Sequence, residues 1–168
     1  MNAKRRSQKQ EKSVAKSFNA KPTIASGAIW FQKGDVRSKA FLIECKTTLK
    51  SSYSVKVDVW EKIESEAIKD GLRTPLLIID LEDKERFVVF DPRYFRAHRY
   101  RKFNRELDEK RKKSFTISIK DFARMEDINV QTVFFKICGK RDYVLACMSL
   151  NNFLSMYAEE LEELENEQ

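Results

Sequence analysis

Histidine is almost absent from this chain. His98 stands alone in a basic stretch, with no nearby nucleophile to form a Ser–His or Cys–His pair and no companions for a zinc site. Glycine is scarce at four residues, and no glycine-rich phosphate loop is present, which excludes a P-loop enzyme. Cys45, Cys138 and Cys147 are odd in number, lack CxxC spacing and sit in apolar runs. They read as reduced core residues of a cytoplasmic protein rather than a disulfide framework. No apolar run reaches the roughly 18 residues of a membrane span, and the basic N-terminus is not followed by the apolar segment of a secretory signal.

Hydrophobic residues make up 42% of the 168, with 12 Phe, 5 Tyr and 2 Trp, enough for one well-packed domain with a small appendage. Charge is abundant and unbalanced: 33 Lys and Arg against 26 Asp and Glu give +7. Residues 158–168 hold six glutamates and no base, so the excess of base over the rest of the chain is larger still. It concentrates in residues 1–22 and in "RYFRAHRYRKFNRELDEKRKK", residues 93–113, where Arg and Lys alternate with aromatics. Such a stretch suits a polyanionic partner, because each neutralised phosphate releases counterions. A solvated amphipathic helix has the same composition.

Along the chain, Ser7 and Gln10 form an S-x-x-Q capping pattern ahead of a helix to about Phe18 with Val14, Ala15 and Phe18 inward. Glu11 precedes these by three, four and seven residues, which puts it on the inward stripe. A first-turn acid favoured by the helix dipole is the plain alternative. "TIASGAIWF", "KGDVR" and "KAFLIECKTT" read as strands, the last two joined by a turn at Ser38-Lys39. Trp60, Ile63, Ala67 and Ile68 then share a helical face that Gly71 closes. "TPLLIIDL" and "RFVVFDP" follow as strands. Residues 1–95 thus read as a compact α/β core and 96–168 as an extension packed on it: a basic helix, a hairpin from "TVFFKIC" and "YVLACM" after the strand "FTISI", and a final helix capped by Ser149. "FDPRYF", "SIKDF" and "SLNNF" mark strand-to-helix transitions.

Strand alternation puts Leu42, Glu44 and Lys46 on one face and Phe41, Ile43 and Cys45 on the other. A two-residue turn at Ser38-Lys39 would face Asp35 with Leu42 and make it a diagonal neighbour of Glu44, roughly 7 Å between Cβ atoms. Two buried carboxylates need a compensating cation, and Lys46 supplies one charge against two. Mg²⁺ matches that arithmetic, since it takes one or two carboxylates and completes its shell with water and phosphate. Lys46 would then position the attacking water or stabilise a developing phosphorane. The bland counterpart is a surface hairpin with an ordinary Glu–Lys pair. The apolar run before Glu44, the acid on the apolar helix face and the basic surroundings favour the metal site.

Gly34-Asp35, eight intervening residues and Glu44-Cys45-Lys46 resemble the PD-(D/E)xK nuclease motif, with Gly34 in place of the Pro. "SGAIW" before the motif and "ECKTT" at its end are similar to the branch containing Holliday junction resolvases of archaeal and phage type. The resemblance covers about residues 7–95. It implies a restriction-endonuclease-like core of helix, three-strand antiparallel meander, helix and two strands, followed by a C-terminal α+β extension. It also implies that Asp35, Glu44 and the Cys45 carbonyl bind Mg²⁺, with Mn²⁺ as a substitute. Lys46 is catalytic in that family's pattern, and Glu11 corresponds to its additional helix-borne acid. The function implied is a homodimeric DNA endonuclease acting on branched DNA in the cytoplasm, including a host cytoplasm for a phage enzyme. A repair, nicking or restriction endonuclease, or a non-catalytic DNA-binding module, are the alternatives. Lys33, Lys50 and Tyr53, flanking the motif, and Arg96, Arg99, Arg101 and Lys102 are candidate DNA contacts. Trp30 and Trp60 read as core. The final helix carries Leu150, Phe153, Leu154, Tyr157, Leu161 and Leu164 in one stripe, able to pack on its own hairpin or on a second subunit.

Overall fold

A strand covered on both faces reads as an unbroken apolar run, and two such runs form the middle of the sheet. The computed structural model describes residues 2–23, 34–95, 111–123 and 132–167. Strands β1 (Lys21–Pro22), β2 (Val36–Arg37), β3 (Phe41–Thr48), β5 (Thr74–Leu81), β6 (Glu85–Phe90), β8 (Val133–Cys138) and β9 (Asp142–Ser149) make one sheet in the order β1-β2-β3-β5-β6-β9-β8. The β3–β5 pair is parallel and every other pair antiparallel. Strand β4 (Ser52–Lys56) and helix α2 (Val57–Lys69) connect the two parallel strands, and β4 pairs separately with β7 (Ser114–Ser118).

Three layers result. Helix α1 (Ala3–Ser17) and the C-terminal helices α4 (Leu150–Met156) and α5 (Ala158–Glu167) cover one face. There Val14, Ala15 and Phe18 meet Phe41, Ile43, Cys45, Ile78, Phe90 and Phe153. On the other face, Trp60 and Ile63 of α2 and Val55 and Ile117 of the β4–β7 ribbon pack against Leu77, Ile79, Val89 and Leu145. Short α3 (Ile119–Ala123) adds Phe122, stacked on Phe87 at 4.4 Å.

This mixed α/β arrangement holds the expected helix, antiparallel strands, helix and two strands in order, with several local differences. Helix α1 starts earlier: Asn2 is the cap, accepting from Arg5 N at 3.0 Å, and Ser7 lies inside the helix, bonded to Glu11. Asparagine caps as well as serine does, and the basic run Lys4–Arg6 continues the helix rather than preceding it. Most of the expected strand over "TIASGAIWF", and Trp30 within it, lie outside the described residues. Ser52–Lys56 forms strand β4 because β7 comes from far along the chain to pair with it, Ser54 opposite Thr116. Residues 93–113 open with a 3-10 turn at Pro92–Tyr94, and Arg111–Lys113 are not helical; residues 96–110 lie outside the described residues. The final helix is two, parted at Tyr157.

The C-terminal hairpin β8–β9 turns at Gly139–Arg141 and extends the same sheet past β6. Ser149 caps α4 as expected, accepting from Asn152 N at 3.2 Å. The apolar stripe is used within the chain: Leu150, Phe153 and Tyr157 are buried, and Phe153 lies 5.0–5.3 Å from the rings of Phe90, Phe95 and Tyr157. Replacing Phe153 by Ala should therefore cost about 3–5 kcal/mol, read as a fall in the urea midpoint. The three free thiols are also buried. Ellman's reagent should label none of them in the native protein and all three in denaturant.

Candidate functional site

The hairpin from β2 to β3 decides where the acids go. Val36 pairs with Ile43 and Arg37 with Leu42, so the loop holds four residues instead of two, and Asp35 moves from beside Leu42 toward Glu44. A slip of two positions keeps the strand side chains on their expected faces while bringing the two acids closer along the chain direction. The longer loop is held from outside. Arg73 Nε donates to Ser38 O at 2.8 Å, the Ser38 hydroxyl bonds to Glu165 of α5, and Thr74 N donates to Ala40 O at 2.8 Å. Asp70 joins in by pairing with both Arg37 and Arg73 at 2.8 Å.

Asp35 is fixed through both its backbone and its side chain: its N–H donates to Ile43 O at 2.9 Å, and its Oδ2 accepts from Cys45 N at 2.8 Å. Glu44 lies between those two anchor points. Along a strand, the N–H and C=O of one residue point to the same side. The Cys45 carbonyl therefore faces the edge on which Asp35 sits. Gly34 makes the entry to this geometry possible. Its φ of +72° is left-handed, and a Cβ there would lie 2.8 Å from Leu42 Cδ1. A proline, the residue of the family motif, is locked near φ −65° and cannot adopt this conformation.

Glu44, 9% exposed, shares the α2-side face with Lys46, whose Nζ donates to Glu44 Oε1 at 2.7 Å. Burial pulls the Lys46 ammonium down, but the hydrogen bond to Glu44, that carboxylate's charge and the charge of Asp35 hold it above the usual lysine range. Lys46 is thus a cation at neutral pH, not a base. On the opposite face, burial pushes the Cys45 thiol well up, and the charges of Asp35, Glu11, Asp80 and Glu44 push it further. Cys45 is a poor nucleophile, and Glu11 belongs to the same electrostatic neighbourhood as Asp35 and Glu44.

Glu11 itself is half-buried and accepts from Ser7 Oγ at 2.9 Å. The residue beside it is the one that reaches the sheet. Gln10 is 2% exposed, and its Nε2 donates to Lys46 O at 2.9 Å, with Ile78 O at 3.5 Å. Its Oε1 is buried with no hydrogen-bond partner among the described residues. Gln10, Val14 and Phe18 recur at four-residue spacing, so the sequence did contain the signal that Gln10 lies on the inward stripe. Tyr53 comes from the inner face of β4. Burial raises its phenol, Lys46 lowers it and Glu44 raises it further, which marks both charged groups as its neighbours. Lys50 is exposed in the β3–β4 turn, while Lys33, Arg96, Arg99, Arg101 and Lys102 lie outside the described residues.

No protein-family model and no curated protein matches the chain. Among solved structures, Hjc of Archaeoglobus fulgidus, described as a Holliday junction resolvase from an archaeal hyperthermophile, is similar at 18% identity and a TM-score of 0.42. The match covers 66% of this chain and 85% of that one.

The donors present suit a hard cation. Among the described residues, no three His, Cys, Asp or Glu side chains converge as a metal cage. Magnesium needs no such cage: one or two carboxylates suffice, with waters and phosphate oxygens completing the octahedron. Two neighbouring carboxylates with a carbonyl at the same edge fit that requirement and would not fit structural zinc, which takes a closed set of nitrogen and sulfur donors. Gly34→Ala tests the geometry without touching a charged group. The left-handed backbone alone should cost about 1–2 kcal/mol, read in denaturant titration, and the contact with Leu42 should add to it.

Proposed function

We propose that this chain is a metal-dependent DNA endonuclease, selective for branched substrates in the manner of a Holliday junction resolvase. The observation that supports it is the anchoring of the Asp35 carboxylate on the backbone N–H between Glu44 and Lys46, with Lys46 bonded to Glu44. Two fixed carboxylates beside a cationic lysine suit phosphodiester hydrolysis, since a surface meant only to bind phosphate would exclude them.

In this reading, Asp35, Glu44 and the Cys45 carbonyl hold Mg²⁺, which when bound supplies Lewis acidity at the scissile phosphate and acidifies a water. The Cys45 N–H orients Asp35 by taking one of its oxygens. Lys46 neutralises part of the carboxylate charge before substrate arrives, then places its ammonium against the non-bridging oxygens as negative charge grows on them. Water oxygen bonds to phosphorus and releases a proton to solvent, the bridging P–O bond breaks, and the leaving oxygen takes up a proton from solvent. Glu11, in this reading, adds a further negative charge to the neighbourhood of Asp35 and Glu44. Gln10, by holding the Lys46 carbonyl, couples α1 and therefore Glu11 to the strand that carries the lysine.

Symmetric cutting of a junction requires two such sites related by a two-fold axis, so the active form in this reading is a homodimer. Its interface lies away from the Leu150–Tyr157 stripe, which is occupied inside the chain.

The test is cleavage of matched four-way junction, flap, linear duplex and single-stranded DNA with Mg²⁺ or with EDTA. Cleavage should require Mg²⁺ and favour the junction. Asp35→Asn and Glu44→Gln should fall to background and Lys46→Ala by about 10²–10³-fold, while all three retain DNA binding in EDTA. Full activity in either carboxylate variant would sink the assignment, and equal cutting of linear duplex would favour a repair, nicking or restriction enzyme.

A further inference from the structure

The β4–β7 ribbon has one face that the core does not use. Tyr53 and Val55 on β4, opposite Ile117 and Phe115 on β7, turn inward, and Phe115 stacks on Phe135 at 4.6 Å. The other face presents Ser52, Ser54 and Lys56 opposite Ser118, Thr116 and Ser114. All six are exposed or half-buried. An isolated two-stranded ribbon is marginal in water. This one is kept in shape by its inner face and by main-chain ties: Val57 N to Lys113 O at 2.8 Å, Cys138 N to Lys112 O at 2.7 Å, and Ile119 N to Ser51 O at 3.1 Å.

Charge surrounds the hydroxyls. Lys50 stands at the turn that begins the ribbon, Lys113 and Lys120 bracket β7, and all three are exposed together with Lys56. Asp58, exposed in the first turn of α2, and Glu61, which accepts from Lys140 N at 2.6 Å, are the acids at one end, with Arg111 beside them, while Asp121 at the other is engaged with Ser118 N at 2.9 Å. The ribbon also continues directly from the candidate site, because β4 begins four residues after β3 ends and Tyr53 neighbours Lys46 and Glu44 from its inner face.

We propose that the outer face of this ribbon is a DNA backbone-binding surface, with its serine and threonine hydroxyls bonding phosphate oxygens and Lys56, Lys113 and Lys120 supplying the charge. The proposal rests on the endonuclease reading and adds to it the surface that guides the strand to Asp35 and Glu44. Short hydroxyl side chains let a phosphodiester chain approach the protein backbone closely, and they contact it without reading base identity. Such a surface suits an enzyme that selects by shape. It also gives the C-terminal third a task, since β7 supplies half of the face.

The experiment measures binding of fluorescein-labelled four-way junction DNA by anisotropy in EDTA, from 50 to 300 mM NaCl. The variants are wild type, Lys56→Gln/Lys113→Gln/Lys120→Gln, and a control with Lys62→Gln/Lys69→Gln/Lys84→Gln on exposed positions elsewhere. Glutamine keeps most of the side-chain stem, and circular dichroism melts identify any variant that fails to fold. The ribbon variant should bind about tenfold or more weakly, with a log–log salt slope shallower by about 3, and the control should change by less than about 1. Arginine at the same three ribbon positions should restore the slope, which a merely structural loss would not allow. Equal losses in ribbon and control variants would overturn the proposal, as would an unchanged ribbon variant. A wild type with no salt-dependent DNA binding would overturn the endonuclease reading itself.

Discussion

The hydrogen bond from Cys45 N to Asp35 Oδ2 is the constraint on which the candidate site depends. It ties a side chain of the incoming strand to the backbone of the central strand at the residue between Glu44 and Lys46. The orientation of one carboxylate and the edge exposed by one carbonyl are thereby set together. A charge-assisted bond of this kind is shorter and stronger than a neutral one. It survives only if the hairpin register is right, and that register is enforced by contacts made by residues far away in sequence: Arg73, Asp70, Thr74 and Glu165.

Around that bond the protein balances burial against charge. Glu44 is nearly enclosed on a strand flanked by apolar neighbours on both sides, and without Lys46 it would stand as an unpaired buried carboxylate. The pair sits where β3, still paired with β5, emerges from the buried core, since Lys46, Thr47 and Thr48 are all half-exposed. The layers divide the work. Helix α1 brings Gln10 and Glu11 to the strand from one side; α2 and the β4–β7 ribbon wall the Glu44–Lys46 side.

Much of the candidate site was legible because it is local. Asp35, Glu44 and Lys46 lie within one short hairpin, and period-two alternation assigns the face of Glu44 and Lys46 whatever the loop length, provided the slip is even. The shared face of Glu44 and Lys46 therefore survived a loop two residues longer than expected. The caps at Ser149 and Gly71 were equally local. Less accessible was the priority of Gln10 over Glu11. Helical periodicity bounded the inward stripe, but which of two adjacent polar residues reaches the sheet depends on how α1 is rotated against β3.

The amino-acid sequence by itself determined the apolar runs that become central strands, the alternation that collects an acid and a lysine on one face, and the helical stripes that cover them. These follow from side-chain period and burial, which act over a few residues. Tertiary structure alone decided that the Asp35 carboxylate seats on the Cys45 N–H, that β7 joins β4, and that the C-terminal stripe closes on its own core. Each of these depends on contacts between segments far apart in the chain, where many partners satisfy the same local pattern and only the simultaneous packing of both sheet faces selects one.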